Sequence, residues 1–235
     1  MRRAGARLYF DVVGQGDDTV VLAHPLAFTG RFFLSLAERA AGRGFRVVLP
    51  DSLGHGSSDK PSAGERYALR ERVDDLLHIC DAVGAERFGF VGYSMGGWLG
   101  TGLLARHPHR VSAAAIGGWD PVAGPPPGVP LALVDDVPIA LRQLSSQPGA
   151  TQAVASGDVE AVKHCFRALY EPLPAIDSDV PLLLWVARED PYHPGVAAAA
   201  SRLGARLVVL EGDHGTAALD EAVAAVVVEH LRPVS

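Results

Sequence analysis

Short apolar runs rich in β-branched residues alternate along this chain with longer segments of helical spacing, and that alternation leaves few folds open. The runs at 8–13, 19–23, 46–49, 88–92, 111–117, 182–187 and 206–210 read as strands. Several are apolar at every position, as strands covered on both faces must be. Helical patterns at 31–43, 69–83, 95–106, 196–203 and 216–231 separate them. In the second, Val73, Leu76, Leu77, Cys80 and Val83 recur at spacings of three and four, and Gly84 follows as a stop signal. The expected fold is α/β, a mostly parallel central sheet with helices on both faces. Gly14-Gln15-Gly16-Asp17 is a turn cluster, so the first two strands are expected to form an antiparallel, hairpin-like edge.

More than sixty residues separate the strands expected at 111–117 and 182–187, opening on the proline-rich stretch from Pro121 to Pro130. The rest of that interval holds two or three helical patterns, such as 159–169 with Asp158 as N-cap, too few for a core of their own. The predicted organisation is one core built from 1–118 and 180–235, with 119–179 inserted as a small helical lid.

The strand at 88–92 runs straight into Gly92-Tyr93-Ser94-Met95-Gly96 and then a helix. A Gly-x-Ser-x-Gly pentapeptide is weak evidence alone in a chain with 26 glycines. Between a strand and a helix it reads as a nucleophile elbow, where small residues two positions either side of a strained serine avoid collision. Ser94 is then presented at the carboxyl end of a strand, over a helix N-terminus that favours developing negative charge. A serine hydroxyl needs a base to take its proton. Of the nine histidines, His214 follows the last strand and opens a helix, which makes it the candidate. Asp190, after the strand at 182–187, is the expected acid and gives the chain order Ser, Asp, His. Asp120, after the preceding strand, is the rival acid; Glu189 and Asp213 read as turn residues. The backbone N–H groups of Met95 and Leu26 are the expected oxyanion hole, Leu26 because Pro25 has no N–H. Trp119, with Phe28 and Tyr93 behind it, is the candidate for lining a substrate pocket.

The net charge of -6 argues against nucleic acid, whose phosphates require a basic surface. Two distant cysteines, Cys80 and Cys165, have no metal-like spacing and read as free thiols of a reducing compartment. The basic start Met1 to Arg7 is followed by no apolar signal region, and no apolar run is long enough for a spanning helix. A cytoplasmic protein is expected, with no membrane partner and with the homodimer left open.

Taken together, the elbow, the acid and base positions, and Asp51-Ser52-Leu53-Gly54-His55-Gly56-Ser57-Ser58-Asp59-Lys60-Pro61 resemble the α/β-hydrolase fold family along nearly the whole chain. That last segment resembles the family's D-x-x-G-x-G-x-S-D-x-P brace. Ser94-Met95-Gly96-Gly97 and the short lid resemble small esterases, 3-oxoadipate enol-lactonases and meta-cleavage-product hydrolases. Serine at the elbow argues against the aspartate-bearing epoxide hydrolases and haloalkane dehalogenases. The departure from the family's habit is His24-Pro25-Leu26, where most members carry His-Gly before the oxyanion residue. The resemblance implies a serine hydrolase of a carboxylic ester or lactone with an apolar acyl part, using neither metal nor organic cofactor. Lyase, C–C hydrolase or rearrangement chemistry on the same triad is the second expectation, and a non-catalytic ligand-binding member of the fold the third.

Overall fold

Seven strands form the central sheet of the computed structural model, which describes residues 1–127, 159–218 and 220–231. They are β3 (Tyr9–Val13), β4 (Asp18–Ala23), β5 (Phe45–Asp51), β6 (Phe88–Tyr93), β7 (Val111–Gly117), β8 (Leu182–Ala187) and β9 (Arg206–Leu210), in the order β3-β5-β4-β6-β7-β8-β9. All neighbours are parallel except β3 and β5. A two-stranded ribbon, β1 (Arg2–Arg3) with β2 (Ala6–Arg7), precedes them. The helices are α1 (Leu34–Ala41), α2 (Leu69–Ala82), α3 (Met95–Arg106), α4 (Val159–Ala168), α5 (His193–Leu203) and α6 (Glu221–His230).

The uninterrupted apolar character of the strands follows from this layering. Along β6, Phe88 and Phe90 pack with α2, α3 and α5 on one face. Val91 and Tyr93 pack with α1 and α6 on the other. Each such side chain adds about 1.5–3 kcal/mol when fully buried, so a polar residue at alternate positions would forfeit one face of the core. Asp220 caps α6 by accepting from the Ala222 and Val223 N–H groups at 2.8 and 3.1 Å.

One expectation is corrected. The first two sheet strands do not pair as a hairpin; β5 lies between them, antiparallel to β3 and parallel to β4. The glycines of the turn cluster show why. A Cβ on Gly16 would fall 1.6 Å from the Gly44 carbonyl oxygen, and one on Gly14 2.4 Å from that of Phe45. The loop therefore crosses directly over the start of β5 instead of folding β4 back beside β3. The ribbon β1–β2 is also absent from the sequence reading; Arg3 ties it to α2 through Glu71, Asp74 and Asp75. Helix α4 is seated on the α2 side, where Arg72 Nη1 donates to Cys165 Sγ at 3.4 Å and His164 stacks on Tyr67. Its expected N-cap, Asp158, lies outside the described residues, as does the stretch of the expected lid from 128 to 157. Among the described residues no helix is long and apolar enough to cross a membrane.

The chain passes from β4 to β5 on one side and then returns across β4 to β6 on the other, so the order switches direction at β4 and β6. Crevices at such switch points, outside the carboxyl ends of the strands, are where open α/β sheets place ligands. Gly16→Ala is expected to destabilise the protein by about 3 kcal/mol or more in chemical denaturation, because backbone itself must move. Gly5→Ala, with φ of 81° but open space around it, should cost only about 1–2 kcal/mol.

Candidate active site

Ser94 sits between the end of β6 and the start of α3 with φ 53° and ψ -112°, in a region that only glycine enters freely. It is held there from both sides. Its N–H donates to the Gly117 carbonyl at the end of β7 (2.8 Å), and its own carbonyl accepts from Trp98 in α3 (3.0 Å). The flanking glycines are required by contact. A Cβ on Gly92 would lie 2.2 Å from the Gly96 oxygen, and one on Gly96 only 2.0 Å from the Ala23 oxygen at the end of β4. Met95 is the first residue of α3, so its N–H has no acceptor within the helix and faces outward at the switch point.

The loop after β4 departs from glycine-containing versions in a defined way. The Pro25 carbonyl accepts from the Phe28 N–H at 3.3 Å and lies 2.7 Å from His24 Nδ1, which donates to it. Ala27 takes φ 67°, the left-handed third position of a type II turn. His24 is fully buried, and its Nε2 accepts from the Ser52 N–H at 3.0 Å. The imidazole thus bridges the loops after β4 and β5. Burial, the largest influence, pushes its pKa down to about 4, so it is neutral in this role. The brace loop is tied further by Asp51, whose carboxylate accepts from the Gly30 and Ser57 N–H groups, both at 2.8 Å. Leu26 is half-buried, and its N–H has no acceptor among the described residues.

His214 and Asp190 meet across the ends of β8 and β9. Nδ1 of His214 lies 2.7 Å from Oδ2 of Asp190, which leaves Nε2 as the open ring nitrogen. The carboxylate is shut away from water (0% side-chain exposure) while the imidazole is 28% exposed, so the ring can be reached and the acid cannot. The second Asp190 oxygen accepts from the Tyr192 N–H at 2.9 Å. Asp120 does something else: its Oδ1 accepts from Val122 and Ala123 N–H at 2.8 and 2.9 Å, closing the turn after β7. Asp213 likewise holds a turn, and its hydrogen bonds from Thr216 and Gly215 lower its pKa. Glu189 is exposed. The imidazole stands beside the elbow: a Cβ on Gly118, next to the residue that accepts from Ser94, would come within 2.9 Å of His214 Cε1.

The expected pocket residues separate in space. Tyr93 turns to the opposite face of the sheet from α3, packs on Trp185 and donates its hydroxyl to the His214 carbonyl. Strand parity carries that signal, since Tyr93 shares a face with Val91 and not with Phe90. Trp119 is fully buried, with its ring 5.7 Å from that of Tyr192. Phe28 is half-buried and meets Phe32 edge-on at 4.7 Å. Tyr192, which sequence reasoning passed over, stacks on the His214 ring at 5.5 Å. Among the described residues no group of three His, Cys, Asp or Glu side chains is arranged to hold a metal ion.

The sequence model of a family described as the alpha/beta hydrolase fold matches residues 18–163. The chain belongs to that family. A 2-hydroxy-6-oxononadienedioate/2-hydroxy-6-oxononatrienedioate hydrolase from Paraburkholderia phymatum is 34% identical over 129 residues, covering 53% of this chain and 44% of its own. Among solved structures, an esterase from Exiguobacterium antarcticum aligns with a TM-score of 0.83 at 21% identity over 97% of this chain and 96% of its own. The enol-lactonase from Burkholderia xenovorans LB400 aligns with a TM-score of 0.78 at 24% identity over 97% of each chain. The chain spans less than half the length of the curated relatives it matches.

The buried His24 makes stability depend on pH with a definite sign. Its folded pKa of about 4 lies below the ordinary 6.5, so the unfolded chain binds the extra proton. Stability is full above pH 6.5 and should fall as pH drops through the window from 6.5 to 4. In denaturant titrations His24→Asn should show a shallower decline across that window than the wild type; parallel curves would contradict the assignment.

Proposed function

We propose that this α/β-hydrolase is a serine hydrolase of a carboxylic ester or lactone, working through Ser94, His214 and Asp190. The observation that carries the reading is the 2.7 Å contact between a buried carboxylate and an accessible imidazole; the strained backbone of Ser94 supports it. Ser94 Oγ attacks the acyl carbonyl while His214 Nε2 takes its proton, and Asp190 holds the tautomer and offsets the charge of the imidazolium. The Leu26 and Met95 N–H groups receive the negative oxygen of the tetrahedral intermediate. His214 then returns the proton to the leaving alcohol, and water repeats the sequence to release the acid. Residues 119–179 act as the cover of the site, over a core formed by 1–118 and 180–235. Its substrate is a small acyl compound.

Folded wild-type protein should label with a fluorophosphonate probe and hydrolyse short acyl esters or lactones, and Ser94→Ala should abolish both. Asp190→Asn should lower kcat by about 10⁴, the scale of a lost triad acid. Asp120→Asn keeps an acceptor for its two turn N–H groups, so a change of less than about tenfold is expected. Absence of labelling from folded wild-type protein overturns the reading. Labelling without hydrolysis of any ester or lactone transfers the same triad to lyase or rearrangement chemistry.

A further inference from the structure

We propose that Tyr192 is a positioning residue of this centre, fixing both the direction of the Asp190 carboxylate and the charged form of the His214 imidazole. The inference rests on the Ser94–His214–Asp190 reading. Two contacts from one residue carry it. The Tyr192 N–H donates to Asp190 Oδ1 at 2.9 Å, so the other carboxylate oxygen is aimed at His214 Nδ1. The Tyr192 ring lies over the imidazole at 5.5 Å between centroids and 29° between planes. Tyr93 approaches the ring from its own side at 5.1 Å and 45°. A row of five rings therefore passes through the imidazole: Trp119, Tyr192, His214, Tyr93 and Trp185. Its far end is anchored where Trp185 Nε1 donates to the Ala217 carbonyl at 3.1 Å.

The consequence is electrostatic as well as steric. When His214 takes the proton from Ser94, a cation forms against the face of an aromatic ring, an arrangement that favours the charged state. Burial keeps the Tyr192 hydroxyl neutral by raising its pKa, so the ring adds no charge of its own. The other titratable groups facing the imidazole are Asp190 at Nδ1, Asp213 beside it in the chain and Tyr93; Asp120 and Tyr170 lie behind Tyr192.

The test compares wild type, Tyr192→Phe and Tyr192→Leu by kcat, KM and fluorophosphonate labelling across pH, with folding checked by circular dichroism. Leucine keeps apolar bulk and the backbone N–H but removes the ring. The leucine variant should lose roughly tenfold in kcat with KM little changed. Its acid limb should move to lower pH by about half a unit or more, because the imidazolium has lost its support. The phenylalanine variant should stay within about twofold of wild type with its acid limb in place. A folded leucine variant with wild-type kcat and an unmoved acid limb overturns the proposal, as do equal losses in both variants. If the leucine variant does not fold, Tyr192→Met takes its place with the same expectations. A wild type that neither labels nor hydrolyses would instead overturn the triad reading beneath it.

Discussion

Three pieces of backbone meet at the switch point of the sheet with no room for a side chain between them. The first turn of α3 lies against the end of β4, where a Cβ on Gly96 would strike the Ala23 oxygen, and against the end of β6, where one on Gly92 would strike the Gly96 oxygen. That approach forces Ser94 into positive φ and leaves its N–H to be caught by Gly117 of β7. Strain of this kind costs on the order of 1–3 kcal/mol and persists only where the surroundings over-determine it. Here the surroundings are β4, β6 and β7, whose side chains enter both cores, and α3, buried from Met95 to Leu104. The same approach sets the distance between the loop carrying Leu26 and the N-terminus of α3, the two sides of the proposed oxyanion hole.

The histidine is held by a different principle. His214 belongs to the connection after β9, an edge strand with partly exposed side chains, where backbone alone gives little rigidity. Its position is secured by side chains of β6, β8 and the turn after β8 instead. The Tyr93 hydroxyl holds its carbonyl, Trp185 holds Ala217 three residues on, Asp190 takes the ring nitrogen and Tyr192 covers the ring. A ring on a peripheral loop is thereby referred back to the centre of the sheet.

The layered fold was legible because burial on both faces writes itself as unbroken apolar runs, and helical spacing in residues such as Val73, Leu76 and Cys80 is local. Which strands touch was less so. The insertion of β5 between β3 and β4 depends on Gly16 passing over Gly44, a contact between residues with no local pattern in common. Ser94, Asp190 and His214, the proposed triad, were legible as candidates because each follows its own strand. Their neighbours could not be sorted the same way: Tyr93 needed strand parity, and Tyr192 matters through a ring 22 positions further along the chain. The departure at His24-Pro25-Leu26 also becomes intelligible only in three dimensions. Pro25 contributes its carbonyl, not an N–H, and the left-handed turn position passes to Ala27.

A crystal structure of the phosphonylated protein would test the central claim most directly. Phosphorus is expected bonded to Ser94 Oγ, with the phosphoryl oxygen about 2.7–3.1 Å from both the Leu26 and Met95 N–H groups. His214 Nε2 should face the ester oxygens, with Nδ1 still on Asp190. An adduct on another residue, or a phosphoryl oxygen turned away from the loop that Pro25 closes, would contradict it.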